Sequence, residues 1–352
     1  MLQIKNISKS FGKTQVLQDI NLNVSDGELF FLLGPSGCGK STLLRIISGL
    51  EKNDSGSITF NGIEWSTVPP EERNIGMVFQ QYSLWPHMTV AENIAYGLKL
   101  RKVAMEEQRV KVNEALKQVG LEGFGPRKPG SLSGGQQQRA ALARALVLNA
   151  KLILLDEPLS NLDARLRLEL RSEIRMLQQR LGLTMIYVTH DQEEAMALAD
   201  RMALMNGGVL EQTGTPEEVY HSPKTAFAAL FFGKSTLLPA KVISVNGSIA
   251  VIALGAAQFS VKLNSLYTPA NNEKVSLVVK PNAFTFTDST LNTIKGKILF
   301  NEFQGTHFNS GIETDLGNLT ITTETAPPAP GQPVNLALKT ELLSIVPLKQ
   351  EG

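Results

Sequence analysis

Cysteine is nearly absent from this chain. Its single copy in 352 residues, Cys38, allows no internal disulfide, and nothing argues for an oxidising compartment. No run approaches the roughly 18 consecutive apolar residues of a membrane-spanning helix, so any membrane contact is expected to come through a partner. Charge of one sign is also missing: 34 Lys and Arg offset 33 Asp and Glu, leaving +1 and no electrostatic footprint for nucleic acid. There are four histidines without paired ligand spacing, so His307 near Glu302 reads as surface loop rather than metal site. Aromatics make up 6%, and no arginine follows Arg201. The opening Met1-Leu-Gln-Ile-Lys-Asn6 meets polar residues at once and does not read as a secretory leader. What remains is an ordinary globular composition, 42% hydrophobic and 19% charged, in a length that suggests about two domains.

Against this plain background one segment stands out. The apolar run Leu29-Phe-Phe-Leu-Leu33 leads into Gly34-Pro35-Ser36-Gly37-Cys38-Gly39-Lys40-Ser41-Thr42, with the spacing G-x-x-x-x-G-K-S, and a helical pattern Leu43–Ser48 follows. Nucleotide phosphates need a closely approaching backbone whose N–H groups turn inward, and the glycines permit that path. Lys40 adds a point charge for the β- and γ-phosphates, and the Ser41 hydroxyl suits Mg²⁺. The pattern predicts a nucleoside triphosphate site. A second apolar strand, Leu152-Ile-Leu-Leu155, ends in Asp156-Glu157. Asp156 is expected to serve Mg²⁺, and Glu157 to polarise an attacking water. Cys38, among inward N–H groups at a helix N-terminus, is expected to carry a lowered pKa and to react with maleimide unless nucleotide covers it.

Between these strands, Leu132-Ser133-Gly134-Gly135-Gln136 opens the helical run Ala140–Leu146, a second phosphate-seeking helix start. One nucleotide does not need two such cradles from one chain, so the second makes sense for nucleotide held by another copy. Here the residues resemble the signature of the ATP-binding cassette (ABC) ATPases, and the rest of that family's set follows in order over residues 1 to about 233. The resemblance implies that Phe11 stacks on adenine with Val16 nearby, although Phe11 also reads as a core residue of the first sheet. It implies that Gln80 senses Mg²⁺ and the γ-phosphate and links them to a membrane partner. Ser160–Asp163 would cross the dimer interface, and His190 would contact the γ-phosphate. Ser133, Gly134, Gly135 and Gln136 would complete the ATP site of the partner copy.

The organisation agrees. Residues 1 to about 30 alternate as an antiparallel β layer, and from Leu29 to Val188 strands and helices alternate around a mainly parallel sheet. The expected fold is α/β: a P-loop nucleotide-binding domain over 1–233 with a helical subdomain at about 83–150, then a small all-β domain over 234–352. In that tail, short β-like runs such as Pro239–Val245, Ile249–Ile252, Val275–Val279 and Leu319–Thr323 suggest a barrel or sandwich. The resemblance narrows it to the oligonucleotide/oligosaccharide-binding-like (OB) regulatory domain of one class of importer ATPases. Lys280-Pro281-Asn282 stands where many relatives carry Arg-Pro-Glu, which puts an inherited regulatory contact there in doubt. Gly233-Lys-Ser-Thr236 repeats the GKST letters without a preceding apolar strand and reads as linker.

The resemblance therefore implies an ATPase using ATP and Mg²⁺, acting as a homodimer under two transmembrane permease subunits at the cytoplasmic face of a bacterial membrane, fed by a substrate-binding protein. Leu84–Val90 resembles the surface that docks a permease helix; Trp85 fits that contact if exposed, and reads equally as packing if buried. The short tail and the junction Phe227–Gly233 lean toward ferric iron; polyamine, sugar or inorganic-anion import are the alternatives, and a soluble ABC regulatory ATPase is a further one. A nucleotide-binding module without hydrolysis would lack Glu157 or His190, and both are present.

Overall fold

Alternating apolar residues along the first 24 positions form two antiparallel strands, β1 (Leu2–Phe11) and β2 (Thr14–Val24), reversed at Gly12 with φ 60°. The next strand, β3 (Leu29–Leu33), is buried at every position and runs into the helix α1 (Lys40–Ser48). After it, β4 (Ser55–Phe60) and β5 (Ile63–Glu64) complete a four-stranded antiparallel sheet in the order β2-β1-β4-β5. The computed structural model describes residues 1–255, 257–263 and 267–348.

A second sheet organises the centre of this region. Its further strands are β6 (Ile75–Val78), β7 (Leu152–Asp156), β8 (Thr184–Thr189), β9 (Arg201–Asn206) and β10 (Val209–Gly214). The order is β10-β9-β3-β8-β7-β6, parallel throughout except for the β9–β10 hairpin. Continuous apolar runs, rather than alternating ones, follow from burial on both faces. The antiparallel layer covers one face: Leu2, Ile4, Leu22 and Val24 share a core with Phe30, Leu32, Ile186 and Val188. The α1 residues Leu43, Leu44, Ile46 and Ile47 join it, each burial contributing roughly 1.5–3 kcal/mol.

Three helices lie between β6 and β7: α2 (Val90–Leu100), α3 (Met105–Gln118) and α4 (Gly134–Leu146) pack on one another. α2 starts at a capping box between Thr89 and Glu92, and α4 at one between Ser133 and Gln136. Then α5 (Ala164–Leu181), capped by Asp163, and α6 (Gln192–Leu198), capped by Asp191, follow β7 and β8.

The chain divides into two compact units, Met1–Pro216 and Glu217–Gly352. This division precedes the change of composition near Lys234. The reason lies in α8 (Ala226–Phe231), which follows α7 (Pro216–His221): Ala226 and Ala229 pack with Val278 and Val346, inside the β-rich unit. That unit holds β11 (Thr236–Asn246), β12 (Ile249–Leu254), β13 (Ala257–Lys262), β14 (Lys274–Val279), β15 (Phe284–Thr287), β16 (Ile294–Phe303), β17 (Phe308–Thr314), β18 (Gly317–Thr323), β19 (Pro333–Leu338) and β20 (Ser344–Pro347). They make two antiparallel five-stranded sheets, β13-β12-β11-β14-β20 and β15-β19-β16-β17-β18, around one shared apolar core. The fold is thus a P-loop α/β domain followed by an OB-like, β-rich region. Gly233–Thr236 runs into β11 as a linker, with no phosphate-loop helix after it.

Candidate functional site

Four neighbouring parallel strands, β3, β8, β7 and β6, end at the same edge of the sheet. Their C-terminal ends are where an open parallel sheet collects ligand groups. The loop after β3 is Gly34–Gly39; Asp156 and Glu157 end β7; His190 follows β8; Gln80 follows β6.

The phosphate loop has little freedom of residue type. Gly34 has φ 149°, and a Cβ there would collide with the Met205 carbonyl oxygen and stand 2.8 Å from Cys38 Sγ. Gly39 has φ 103°, and its Cβ would stand 2.8 Å from the Val16 carbonyl oxygen. Lys40 is buried, and its Nζ donates to the carbonyls of Gly34 at 2.8 Å and Pro35 at 2.9 Å, which holds the ammonium within the loop. Pro35, Ser36 and Gly37 form the outer, exposed arc, while Ser41 and Thr42 sit half-buried in the first turn of α1.

Beside the loop, Ser41 Oγ donates to Asp156 Oδ1 at 3.0 Å. Burial pushes the Asp156 carboxyl above its ordinary value; the Ser41 bond opposes that shift, and the adjacent Glu157 charge adds to it. A hydroxyl and a desolvated carboxylate are hard oxygen donors of the kind Mg²⁺ takes together with waters and phosphate oxygens. These two residues fit the ion, and among the described residues no cluster of three or more His, Cys, Asp or Glu offers a rival metal centre.

Glu157 is the hub of the site. Its backbone is left-handed, φ 45°, held by its own N–H to Val188 O at 3.0 Å and by Ser160 Oγ donating to its carbonyl at 2.9 Å. Such a conformation costs on the order of 1 kcal/mol in a non-glycine residue and persists where the surroundings fix it. The result aims the carboxylate, 18% exposed, between two partners. Gln80 Nε2 donates to Oε2 at 3.1 Å, and His190 Nδ1 lies 3.1 Å from Oε1. The sequence-predicted Gln80, Glu157 and His190 therefore meet directly.

Other expectations fare differently. Among the described residues, no hydrogen bond joins Ser133 or Gln136 to the phosphate loop. Their side chains cap α4 reciprocally, Gln136 N to Ser133 Oγ at 3.4 Å and Ser133 N to Gln136 Oε1 at 3.1 Å. Gly134 and Gly135 let α4 approach Leu162 and Leu166. Asp163 caps α5 through Leu166 N at 3.0 Å. Phe11 is 49% exposed with Lys9 Nζ 5.0 Å from its ring centroid, so it is not a core residue of the first sheet. Val16 is half-buried against Gly39. Trp85 lies between its two readings: half-buried, 4.4 Å from the Tyr96 ring, with Arg144 over it at 5.2 Å. The reactive thiol is corrected. Cys38 is only 4% exposed within the core, and desolvation pushes its pKa up, outweighing the nearby Lys40 charge. His307 Nδ1 lies 3.1 Å from Thr306 Oγ1.

Three further side chains brace the elements around the site. Asn161 Nδ2 donates to Gln80 O at 2.8 Å, tying the loop before α5 to the glutamine segment. Buried Arg73 donates to Ile46 O and Ile47 O at the end of α1, at 2.8 and 2.7 Å. Arg144 reaches the same glutamine segment from α4. Single arginines and asparagines in helical or loop runs carry no spacing that distinguishes a clamp from a solvated surface residue.

Residues 17–160 match the family model described as ABC transporter. The chain is 46% identical over 320 residues to the Fe(3+) ions import ATP-binding protein FbpC of Rhizobium etli, covering 90% of this chain and 89% of that one. It is 42% identical over 315 residues to the spermidine/putrescine import ATP-binding protein PotA of Acetivibrio thermocellus, covering 90% and 88%. Among solved structures, it is similar to the dimeric post-hydrolysis state of the ATP-binding cassette MJ0796 bound to ADP and Pi, at TM-score 0.55 and 36% identity, over 61% of this chain and 99% of that one. It also resembles cbiO1 of Clostridium perfringens, described as part of the transporter complex cbiONQ, at TM-score 0.58 and 32% identity, over 62% and 89%.

Proposed function

The chain belongs to the ABC transporter family as an ATP-hydrolysing, ATP-binding subunit of an importer, and from that premise we propose that its cargo is ferric iron and that Glu157 is its catalytic base. The observation that carries the catalytic part is the convergence of Gln80 and His190 on the two oxygens of Glu157, next to the phosphate loop. In this reading Lys40 and the loop N–H groups hold the β- and γ-phosphates, Phe11 stacks on adenine and Val16 packs near it. Glu157 takes a proton from water as the water oxygen attacks the γ-phosphorus; the bond to the bridging oxygen breaks, and ADP and phosphate leave. His190 steadies the γ-phosphate, and Gln80 orients the carboxylate. Mg²⁺, held by Ser41 and Asp156 with Gln80 nearby, would neutralise phosphate charge.

The site is completed by a second copy, whose Ser133, Gly134, Gly135 and Gln136 contact the same ATP while Asp163 lies at the interface. Two transmembrane permease subunits would dock near Leu84–Val90, at the cytoplasmic face of a bacterial membrane, with a substrate-binding protein delivering cargo to them. Among the described residues no helix is long and apolar enough to cross a membrane. Identity to FbpC proteins supports iron, and the nearly equal identity to a PotA protein keeps polyamine as the competitor. The test is reconstitution in proteoliposomes with the membrane subunits that co-purify with the chain. ATP hydrolysis stimulated by a ferric-loaded binding protein, and not by a spermidine-loaded one, is expected; the reverse stimulation rejects iron.

A further inference from the structure

Tyr82 and Ser83, just past Gln80, both adopt left-handed backbone, with φ 59° and 47°. Neither is glycine, so something must hold them there. Their carbonyls point at one guanidinium: Arg144 Nη1 donates to Ser83 O at 2.6 Å, and Nη2 to Tyr82 O at 2.8 Å. The same group lies 5.2 Å from the centroid of the Trp85 ring, which stacks in turn on Tyr96 of α2. A planar fork with two parallel donors fixes direction as well as distance, which an ammonium does not.

Arg144 sits near the C-terminal end of α4, and Ser133 caps the N-terminal end of the same helix. At 1.5 Å per residue the helix carries about 15 Å of stiff backbone between Gly134 and Arg144. The glutamine segment is held elsewhere by Asn161 on the Gln80 carbonyl, and by Asn93 of α2, which bonds the Trp85 N–H at 2.8 Å and the Trp85 carbonyl at 3.1 Å. Of the three, the arginine alone comes from the helix that begins at the signature.

We infer that Arg144 is a positioning residue that ties the glutamine segment to α4, so that engagement of Ser133 with nucleotide on a partner copy is transmitted to Gln80 and Glu157 in its own copy. The inference rests on the two-copy site proposed above. It supplies the physical link that coupling between two ATP sites requires: a rigid element that both sites contact. A tether of this kind changes turnover and cooperativity rather than the affinity of one open chain for ATP.

Arg144→Lys keeps the charge but loses the fork, and Arg144→Met keeps the apolar stem alone. Both are compared with the wild type and with Ser133→Arg in the full chain, measuring ATP affinity without hydrolysis, kcat, KM, cooperativity in ATP and thermal midpoint. For Arg144→Met we expect ATP affinity close to wild type, a modestly lower thermal midpoint from the two carbonyls left without the fork, kcat lower by about tenfold or more, and reduced cooperativity, with Arg144→Lys intermediate. Wild-type kcat and cooperativity in a folded Arg144→Lys protein overturn the inference. So does a loss of kcat that merely follows loss of ATP affinity and thermal midpoint, because that marks a packing role. If Arg144→Met does not fold, Arg144→Lys decides alone. Normal hydrolysis by Ser133→Arg removes the two-copy reading and, with it, the transmission; a dead Ser133→Arg beside an unaltered Arg144→Lys removes only the tether.

Discussion

Glu157 carries a strained backbone, a partly buried carboxylate and two side-chain partners, Gln80 and His190, all within one residue. Replacing it with glutamine preserves shape and removes the proton acceptor. Glu157→Gln should retain ATP binding while turnover falls by about 10²- to 10⁴-fold, the usual contribution of a general base. Equilibrium nucleotide binding beside steady-state hydrolysis checks both halves. Lys40→Ala should fail differently, at the binding step itself.

Asp156 gives a pH dependence with a definite sign. Its folded pKa is raised, so the native state holds a proton that the unfolded chain releases, and that contribution to stability is full only below the unfolded value near 3.8. It is lost as pH rises through the folded value. Without divalent ion, Asp156→Asn should therefore have a higher thermal midpoint than wild type at neutral pH, with the difference shrinking in acid. Equal midpoints at neutral pH would show that the carboxylate is not penalised there. The raised Cys38 thiol leads to a second outcome: maleimide should label the native protein slowly, and much faster after denaturation. Thiol position was not readable from the motif, because the helix-end argument ignores which way the side chain packs; here it turns under Gly34 and into the core.

Elements buried on both faces were the legible ones. Leu29–Leu33 reads directly as β3, and the runs at 152–155 and 185–188 fall within β7 and β8, because nothing polar interrupts a strand covered on both sides. The helical run Ala140–Leu146 likewise falls within α4. Much of the β-rich unit was not. β16 buries Ile294 and Ile298 but leaves Lys295, Lys297, Leu299, Phe300 and Phe303 largely outside, so no continuous or cleanly alternating pattern marks it. β19 opens on Pro333, a residue that argues against strand on sequence alone. At the loop between β3 and α1, glycine is demanded by neighbours far along the chain. Gly34→Ala would drive a methyl into the Met205 carbonyl of β9, and should destabilise the protein by about 1–3 kcal/mol in denaturant while weakening ATP binding. An alanine variant with wild-type stability and affinity would show that the loop can shift.

For the whole molecule, the spacing of motifs gave the groups that meet at the sheet edge, but among the described residues of one chain Ser133 and its glycines face α4, Leu162, Leu166 and Leu170 rather than the phosphate loop. The proposed function therefore stands on two copies closing over ATP, and a slow-hydrolysing variant holds that state long enough to observe. The decisive measurement is the light-scattering mass of Glu157→Gln, with and without ATP and Mg²⁺, beside the same variant carrying Ser133→Arg. Two-chain closure predicts that nucleotide doubles the mass of the first protein and leaves the second monomeric although it still binds ATP. A nucleotide-dependent dimer that Ser133→Arg does not weaken, or no dimer from Glu157→Gln at saturating ATP, would contradict it.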